Sequence, residues 1–389
     1  MKILLIIHIP LKRNFGASRV QLELAEEWQK EGHIIEKFDV EDAFPQTKSS
    51  FLATLTQPHF SQKAIAYVRE HGYKFDVIDA HQGNLPASKK MLGFSGLLVT
   101  RSVGLFPLYY QLNRASLTSV PIANLKDIKT KIINELLAWR DRKEVKYCFQ
   151  SYQTCDLINL PNDYERQYLE EARRLGNKCQ IFPFGLSHSR REKLAQIVSL
   201  RQNNASLEKI VFIGTWCSRK GAKDWREIIE RVRQVFPDVS FLFLGTKVDR
   251  HKILQELQIE GDEAIEVVPS YETEMLPQLL QNATIGVFPS YLEGFGFAVL
   301  EQLAAGIPTV AYDIPGPRDM LQRVQTISLI VKVGDVEALS CKLVELLKLP
   351  LIDRDRLSRE CLQVAESFSW SKIAKDTLNA YEEGLQKLR

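Results

Sequence analysis

Apolar runs of strand length alternate with segments of helical periodicity along the 389-residue chain. The first apolar run covers residues 2–9, and the segment SRVQLELAEEWQKEG that follows it carries Val20 and Trp28 on one apolar face. Gly32 ends this segment, and a second apolar run begins directly after it, at 33–40. The order strand, helix, strand predicts a βαβ unit and therefore a parallel sheet.

Similar runs continue in both halves of the chain, and the alternation restarts after residue 180. The predicted fold class is α/β, with two doubly wound, Rossmann-like domains. Proline and glycine interrupt the pattern at 181–189, which predicts an N-terminal domain at 1–185 and a C-terminal domain at 186–370. An amphipathic helix is predicted at about 371–389. The further runs expected as strands are 75–83, 96–104, 208–216, 239–247, 264–270, 283–290 and 308–313.

One of these runs, ATIGVFPS, is followed by the loop YLEGFG and by the helix-like segment FAVLEQLAAG. Gly294 and Gly296 permit unusual backbone angles and let backbone N–H groups approach a ligand closely. The positive end of the helix lies behind them, so the turn is suited to a phosphate group. Glu301 lies about one turn into the helix, where its carboxylate can accept two hydrogen bonds from a ribose diol. Glu293 precedes the turn, and its side chain is expected to point at the group that is bonded to the phosphate.

Each glutamate also has a plainer interpretation. Glu293 alone fits a solvated loop acid, and Glu301 alone fits an acid that the helix dipole favours near a helix N-terminus. The strand end, the two glycines, the helix start and the spaced acids agree with one another, however. Together they favour a phosphate-binding turn.

Composition narrows the functional classes. The formal net charge of +3 argues against a dedicated nucleic-acid binder. The six cysteines include no C-x-x-C pair and no Cys/His cluster at zinc spacing, which favours reduced thiols in a cytoplasmic protein. The N-terminal apolar run stops at His8 and Pro10 without a cleavage site, so it predicts a buried strand and not a signal peptide. No stretch approaches the roughly 18 uncharged apolar residues of a membrane span.

Two basic segments leave peripheral contact with an anionic membrane open, at its inner face. Residues 173–201 hold seven Lys/Arg and one acid, and they are interpreted either as a solvated helical insertion or as a surface for anionic lipid or a phosphorylated acceptor. Residues 123–148 carry an apolar stripe among seven basic residues. This helix either lies on a membrane surface or packs its stripe on the sheet. The stripe consists of Ile128, Ile132, Leu136 and Trp139.

The stretch EGFGFAVLE resembles the E-x7-E signature of retaining glycosyltransferases of the GT-B fold, most closely glycosyltransferase family 4. Its continuation, LEQLAAGIPTVAYDIPGPRDML, resembles that family's helix, strand and following glycine turn. VFIGTWCSRKG resembles the second-domain strand with its Lys-Gly pair, and GASRVQLELAEEWQKEGHII resembles the N-terminal glycine loop and helix. FSWSKIAKDTLNAYEEGL resembles the terminal helix, which in such proteins crosses back onto the first domain. The resemblance is greatest over 208–389.

The resemblance implies a role for each matching residue. Glu301 would bind the ribose of a nucleotide-sugar donor, and Lys220 would neutralise the diphosphate leaving group. Glu293 and the backbone amides of 294–297 would hold the sugar and the distal phosphate. The donor-binding positions implied in this way are Glu301, Gly294, Phe295, Gly296, Phe297, Gly214, Gly16, Ala17 and Ser270.

Two departures from the family pattern concern the C-terminal domain. Thr215 follows Gly214 where the family often has an arginine. Arg219, directly before Lys220, is either the substitute for that arginine or a solvent-facing residue.

Two further departures concern the N-terminal domain. Val103 stands where many relatives place a histidine near the reacting sugar. His81, at the end of FDVIDAH, either supplies a catalytic imidazole or packs structurally at the strand end. The glycine loop reads Gly16-Ala17 in place of a glycine pair. These departures leave the sugar and the acceptor open.

The function implied is that of a retaining, metal-independent glycosyltransferase in cell-surface polysaccharide or glycolipid synthesis. A hexose would pass from a UDP-, GDP- or ADP-linked donor, held between two facing domains, to a hydroxyl of a glycan or lipid-linked acceptor. No cofactor is implied beyond the donor substrate. The same fold is also compatible with a protein that binds a nucleotide sugar without transferring it and acts as a regulatory or assembly partner. A nicotinamide dehydrogenase is disfavoured because the first loop lacks G-x-G-x-x-G.

Overall fold

The computed structural model describes residues 1–12, 16–45, 50–111, 128–202, 208–259 and 261–389. They form two compact units. Unit 1 contains Met1–Pro183 and Ser371–Arg389, and unit 2 contains Phe184–Trp370. Each unit is built around one six-stranded sheet.

The sheet of unit 1 is parallel and has the strand order β2-β1-β3-β4-β5-β6. The strands are β1 Lys2–Ile6, β2 Ile34–Phe38, β3 Val77–His81, β4 Leu97–Arg101, β5 Leu157–Leu160 and β6 Cys179–Ile181. The first six helices are α1 Gly16–Lys30, α2 Val40–Ala43, α3 Ser50–His71, α4 Lys89–Leu92, α5 Ile128–Thr154 and α6 Asp163–Arg173. Because β1 lies between β2 and β3, the strand order reverses at β1 and β3. In such sheets, ligands bind at the carboxyl ends of the strands at this reversal.

The sheet of unit 2 is parallel as well and has the order β12-β11-β10-β7-β8-β9. The strands are β7 Lys209–Ile213, β8 Ser240–Leu244, β9 Ile265–Val268, β10 Ile285–Phe288, β11 Thr309–Tyr312 and β12 Ile330–Val331. The strand order reverses between β7 and β10.

Ten further helices complete the described part of the chain. They are α7 His188–Ala195, α8 Ile197–Gln202, α9 Trp225–Arg233, α10 Arg250–Leu257, α11 Leu276–Leu280, α12 Phe297–Ala304, α13 Pro317–Leu321, α14 Val336–Leu347, α15 Leu351–Glu366 and α16 Trp370–Leu388. Helices α7 to α15 belong to unit 2. Helix α16 starts with the last residue of unit 2 and continues in unit 1.

The central strands are buried because helices cover both faces of a parallel sheet. In β1, the four residues Ile3 to Ile6 are fully buried, and β3 and β4 are buried over their whole length. In unit 2, Ile210 to Ile213 of β7 and Phe241 to Leu244 of β8 are buried in the same way. These runs account for the predicted α/β class with parallel sheets, which the structure confirms.

Helix α16 is anchored to the sheet of unit 1 by a buried polar network. The Tyr381 hydroxyl donates to Asp79 Oδ2 at 2.7 Å and accepts from Arg101 Nη2 at 2.9 Å and from Asn159 Nδ2 at 2.8 Å. Arg101 also bonds Asp79 directly, at 2.7 Å. Burial and the Asp79 carboxylate raise the pKa of Tyr381 well above its usual range, so the hydroxyl keeps its proton.

The sequence interpretation of residues 173–201 as one helical insertion is wrong. The segment contains the end of α6, strand β6 and helices α7 and α8, and the chain passes from unit 1 to unit 2 within it, between Pro183 and Phe184. Its basic residues therefore do not share one helix face.

The apolar stripe predicted within 123–148 falls partly outside the described residues. This applies to 123–127 and to the side chains of Ile128, Ile132 and Leu136. Trp139, within α5, is 54% exposed, and the Lys143 ammonium lies 5.2 Å from the centre of one of its rings. No described helix is long and apolar enough to cross a membrane.

Candidate functional site

The reversal of strand order in unit 2 brings two distant loops together. The loop after β7 contains a 3-10 turn at Ser218–Lys220, and the loop after β10 contains Glu293. Because β7 and β10 are hydrogen-bonded neighbours and run parallel, both loops leave the same edge of the sheet. The backbone N–H of Tyr291 donates to the carbonyl of Arg219 at 2.8 Å, which ties the loops directly.

Two cations meet one carboxylate at this edge. Arg219 Nη1 donates to Glu293 Oε1 at 2.7 Å, and the Lys220 ammonium forms an ion pair with the same oxygen. Ser290 Oγ lies 3.3 Å from it. All three contacts go to Oε1, so none of them engages Oε2. The side chains of Lys220 and Glu293 are 13% and 15% exposed, so these charges are largely withdrawn from water.

The charges in this cluster set the ionisation of Glu293. Burial alone would raise the pKa of its carboxyl, but the Lys220 ammonium and the Arg219 guanidinium outweigh burial and hold that pKa below its usual range. Glu293 is therefore a carboxylate at neutral pH. Two cations and one anion leave a net positive charge, which suits an anionic ligand.

Glycine at position 221 lets the loop after β7 approach strand β10. Gly221 has φ +80°, and a Cβ atom on it would collide with the carbonyl oxygen and ring of Pro289. Glycine, which has no Cβ atom, is the amino acid that fits this left-handed backbone at so close an approach. The Lys220 ammonium also lies 5.0 Å from the centre of the Phe288 ring.

A buried carboxylate in unit 2 supports the loop after β10 and was not predicted from the sequence. Asp224 accepts hydrogen bonds from Tyr291 at 2.9 Å and from Tyr312 at 2.8 Å. Tyr291 lies two residues before Glu293, and Tyr312 ends β11, so Asp224 joins the loop after β10 to strand β11. The three residues are distant in the sequence, and no motif links them.

Helix α12 starts directly behind Glu293. Gly296 precedes it with φ +90°, and a Cβ atom there would lie 2.9 Å from Pro317 Cγ, so this turn also requires glycine. Phe295 and Phe297 pack their rings 5.1 and 5.6 Å from that of Phe184. The aromatic packing fixes the turn while the first backbone N–H groups of the helix point towards its N-terminal end, where the dipole is positive.

Glu301 lies in the second turn of α12, and its side chain is only 7% exposed. Its Oε1 atom accepts a hydrogen bond from Arg190 Nη2 at 2.8 Å. Arg190 comes from α7, within the basic segment 173–201, and the sequence interpretation gave it no role in the site. A separation of 111 residues hides this pair from any pattern in the sequence.

The remaining predicted positions of unit 2 lie in loops at the same edge of the sheet. Gly214 follows β7, and its N–H donates to the Leu244 carbonyl at 2.9 Å. Ser270 follows β9, is exposed, and accepts a hydrogen bond from Lys247 Nζ at 3.0 Å. None of the described contacts joins Ser270 to the cluster at Glu293.

Three predicted positions belong to unit 1. Gly16 and Ala17 open helix α1. His81 ends β3, where the strand order of unit 1 reverses, and its ring centroid lies 5.3 Å from that of His8. Neither ring nitrogen of His81 has a hydrogen-bond partner in the part of the chain that the structure describes. Burial, together with the neighbouring His8, lowers the pKa of His81 to about 3, so its imidazole is neutral at physiological pH.

The region that carries the loops after β7 and β10 and helix α12 matches the model of a known family. Residues 208–349 match the family model of glycosyl transferases, group 1. The group 1 segment includes Lys220, Glu293 and Glu301. A curated relative, O-antigen chain mannosyltransferase B of Escherichia coli, is 31% identical over 109 residues, which cover 28% of this chain and 28% of the relative. The chain thus spans less than a third of that relative's length.

Solved structures extend the likeness in fold to nearly the whole chain. Sucrose-phosphate synthase from Thermosynechococcus elongatus superposes with a TM-score of 0.72 at 17% identity, over 98% of this chain and 99% of that chain. The Anabaena protein HepE in complex with UDP-glucose gives a TM-score of 0.65 at 14% identity, over 98% and 99% of the two chains. The two six-stranded α/β units are therefore those of the GT-B fold.

Proposed function

We propose that this protein is a retaining, metal-independent glycosyltransferase that moves a hexose from a UDP-, GDP- or ADP-linked donor to a hydroxyl of a glycan or lipid-linked acceptor. The observation that carries the proposal is the cluster of Arg219, Lys220 and Glu293 at the strand reversal of the group 1 segment. The name of the E. coli relative, an O-antigen chain mannosyltransferase, supports the acceptor class and a role in surface polysaccharide or glycolipid synthesis.

The cluster supplies positive charge, which stabilises a departing diphosphate. When the bond between sugar C1 and the phosphate oxygen breaks, negative charge develops on the diphosphate. Lys220 and Arg219 lie beside the loop that precedes α12, and the positive end of that helix adds to their field. Because Lys220 and Glu293 are largely shielded from water, their charges interact more strongly with a ligand than they would in bulk solvent.

Two carboxylates fit the two ends of such a donor. Glu301 is proposed to accept hydrogen bonds from the ribose hydroxyls, and Glu293 to accept one from the transferred sugar through Oε2. The backbone amides of 294–297 are proposed to bind the distal phosphate between them. Gly214 and Ser270, in neighbouring loops, are proposed to border the nucleotide.

Retention of configuration follows if the acceptor attacks from the face that the diphosphate leaves. The bond from sugar C1 to the phosphate oxygen breaks while a bond from C1 to the acceptor oxygen forms. The acceptor's proton passes to the departing phosphate oxygen, so no side-chain base is required. His81 is proposed as a neutral hydrogen-bonding group for the reacting sugar or the acceptor.

A second candidate function is the binding of a nucleotide sugar without transfer. Thr215, where the resemblance to the family implies an arginine, and Val103, where it implies a histidine, favour it. The discriminating observation is turnover. A donor that binds but is not consumed in the presence of any glycan or lipid-linked acceptor would favour the second function.

The donor site is tested first by binding. Thermal unfolding is measured with UDP-, GDP- and ADP-sugars at 1 mM, and one nucleotide class is expected to raise the unfolding temperature in a concentration-dependent way. A ligand at 100 times its Kd stabilises the folded state by about 2.7 kcal/mol through mass action. The matched control is the free sugar, which lacks the diphosphate and is expected to have no effect. If none of the nucleotide sugars stabilises the protein, the proposed donor site is wrong.

A further inference from the structure

Arg190 provides a positive charge beside the largely buried carboxylate of Glu301. The Glu301 side chain is 7% exposed, and an ionised carboxylate withdrawn from water to this extent requires a counter-charge. Arg190 Nη2 supplies one at 2.8 Å, and the arginine side chain is itself only 16% exposed. The pair joins helix α7 to helix α12 in unit 2.

The guanidinium of Arg190 is directed at this carboxylate. Its Nε atom is buried and has no hydrogen-bond partner in the described residues, so the Nη2 edge carries the contact with Glu301. A hydrogen bond from the planar guanidinium to Oε1 restrains the orientation of the carboxylate. The direction in which Glu301 presents its acceptors therefore depends in part on a residue outside the group 1 segment.

We propose that Arg190 is a positioning residue that holds Glu301 ionised and oriented, and that it thereby sets the preference of the site for a ribonucleotide over a deoxyribonucleotide. The inference rests on the proposed function, in which Glu301 binds the ribose. An ionised, fixed carboxylate accepts hydrogen bonds from both ribose hydroxyls, whereas a mobile one loses that geometry. Arg190 need not touch the nucleotide itself.

The neighbouring residue offers a matched control. Arg191 lies on the same helix, and its Nη1 atom donates to the Glu366 carbonyl at 3.1 Å. Arg191→Ala removes the same number of atoms and the same charge as Arg190→Ala, but it leaves the contact with Glu301 intact. An effect of net charge on nucleotide binding would appear in both variants, and an effect of orientation only in Arg190→Ala.

The test is a set of calorimetric titrations with UDP, GDP and ADP and their 2′-deoxy and 3′-deoxy forms. For the diphosphate that binds wild-type protein, we expect the ribose form to bind about 10- to 100-fold more tightly than either deoxy form. This ratio corresponds to the loss of one hydrogen bond to a charged group. Arg190→Ala is expected to reduce this ratio to within about threefold, and Arg190→Lys to an intermediate value. Arg191→Ala should keep the wild-type ratio, and Glu301→Gln should lose most of it.

The outcomes separate the inference from the proposed function. If wild-type protein binds a diphosphate and Arg190→Ala keeps the full ribose preference, the positioning role is wrong while the donor site stands. If Arg190→Ala does not fold, Arg190→Lys decides, and an unchanged ratio in that variant overturns the role. If wild-type protein binds none of the diphosphates, the proposed function and the inference fall together.

Discussion

Alanine in place of Lys220 is expected to lower the rate of sugar transfer by about 100- to 1,000-fold and to leave the protein folded. This is the usual cost of removing one group that stabilises charge in the transition state. The Lys220 ammonium lies next to Glu293 and 5.0 Å from the Phe288 ring centre. Under the proposed mechanism, its loss removes a positive charge that stabilises the departing diphosphate. The rate is measured as nucleoside diphosphate released per second at saturating donor, and folding by circular dichroism.

The control for this variant lies three residues further along. Lys223 is exposed, and its ammonium lies 4.5 Å from the centre of the Tyr291 ring without a contact to Glu293. Lys223→Ala is therefore expected to keep activity within about twofold of wild type, since exposed charges contribute little. Equal activity in Lys220→Ala and wild type would show that this lysine does not stabilise the leaving group.

Alanine in place of Arg101 is expected to lower the free energy of unfolding of unit 1 by about 3–5 kcal/mol, because it leaves the Asp79 carboxylate buried without its charge partner. Arg101 is 1% exposed and bonds both Asp79 and Tyr381, so the loss also loosens helix α16. Tyr381→Phe removes only the hydroxyl and is expected to cost about 1–3 kcal/mol. These costs reflect unpaired groups and not lost apolar area.

Hydrogen exchange measures the loss of stability in unit 1 separately from unit 2. Peptides that cover β3 and β4 are expected to exchange faster in Arg101→Ala by the factor that corresponds to the lost free energy, while peptides that cover β7 and β8 of unit 2 provide the internal reference. Arg69, which is exposed on α3 and donates to the Met91 carbonyl, is the matched arginine, and Arg69→Ala should leave exchange unchanged. Unchanged exchange of β3 and β4 in Arg101→Ala would contradict the anchoring role.

The sequence predicts most of the strands and misses β5, β6 and β12. Apart from their first residue, strands β1, β7 and β8 are continuous apolar runs buried on both faces, and the length of each run identifies it as a strand. Strand β5 has only four residues, and one of them is Asn159, whose amide donates to the Tyr381 hydroxyl of α16. Strand β6 has three residues, two of them exposed, and β12 has two. Strands this short leave no periodic signal.

The candidate site likewise has local features that the sequence predicts and long-range contacts that it does not. The turn at Gly294 to Gly296 and the spacing of Glu293 and Glu301 are local features, and the sequence displays them. The contacts that set their charge and orientation are long-range. Glu293 meets Arg219 across 74 residues, and Tyr291 meets Asp224 across 67. Only the strand order, with β10 beside β7, brings these groups together, and no local pattern encodes that order.

The measurement that tests the central claim most directly is sugar transfer itself, followed by proton NMR of the product. Wild-type protein is incubated with UDP-, GDP- and ADP-hexoses of known anomeric configuration and with glycan and lipid-linked acceptors. The account predicts that one donor is consumed, with one nucleoside diphosphate released per glycosidic bond, and that the coupling at C1 of the product shows the configuration of the donor. A product of inverted configuration would contradict the mechanism, and the absence of any product from a donor that binds would contradict the proposed activity.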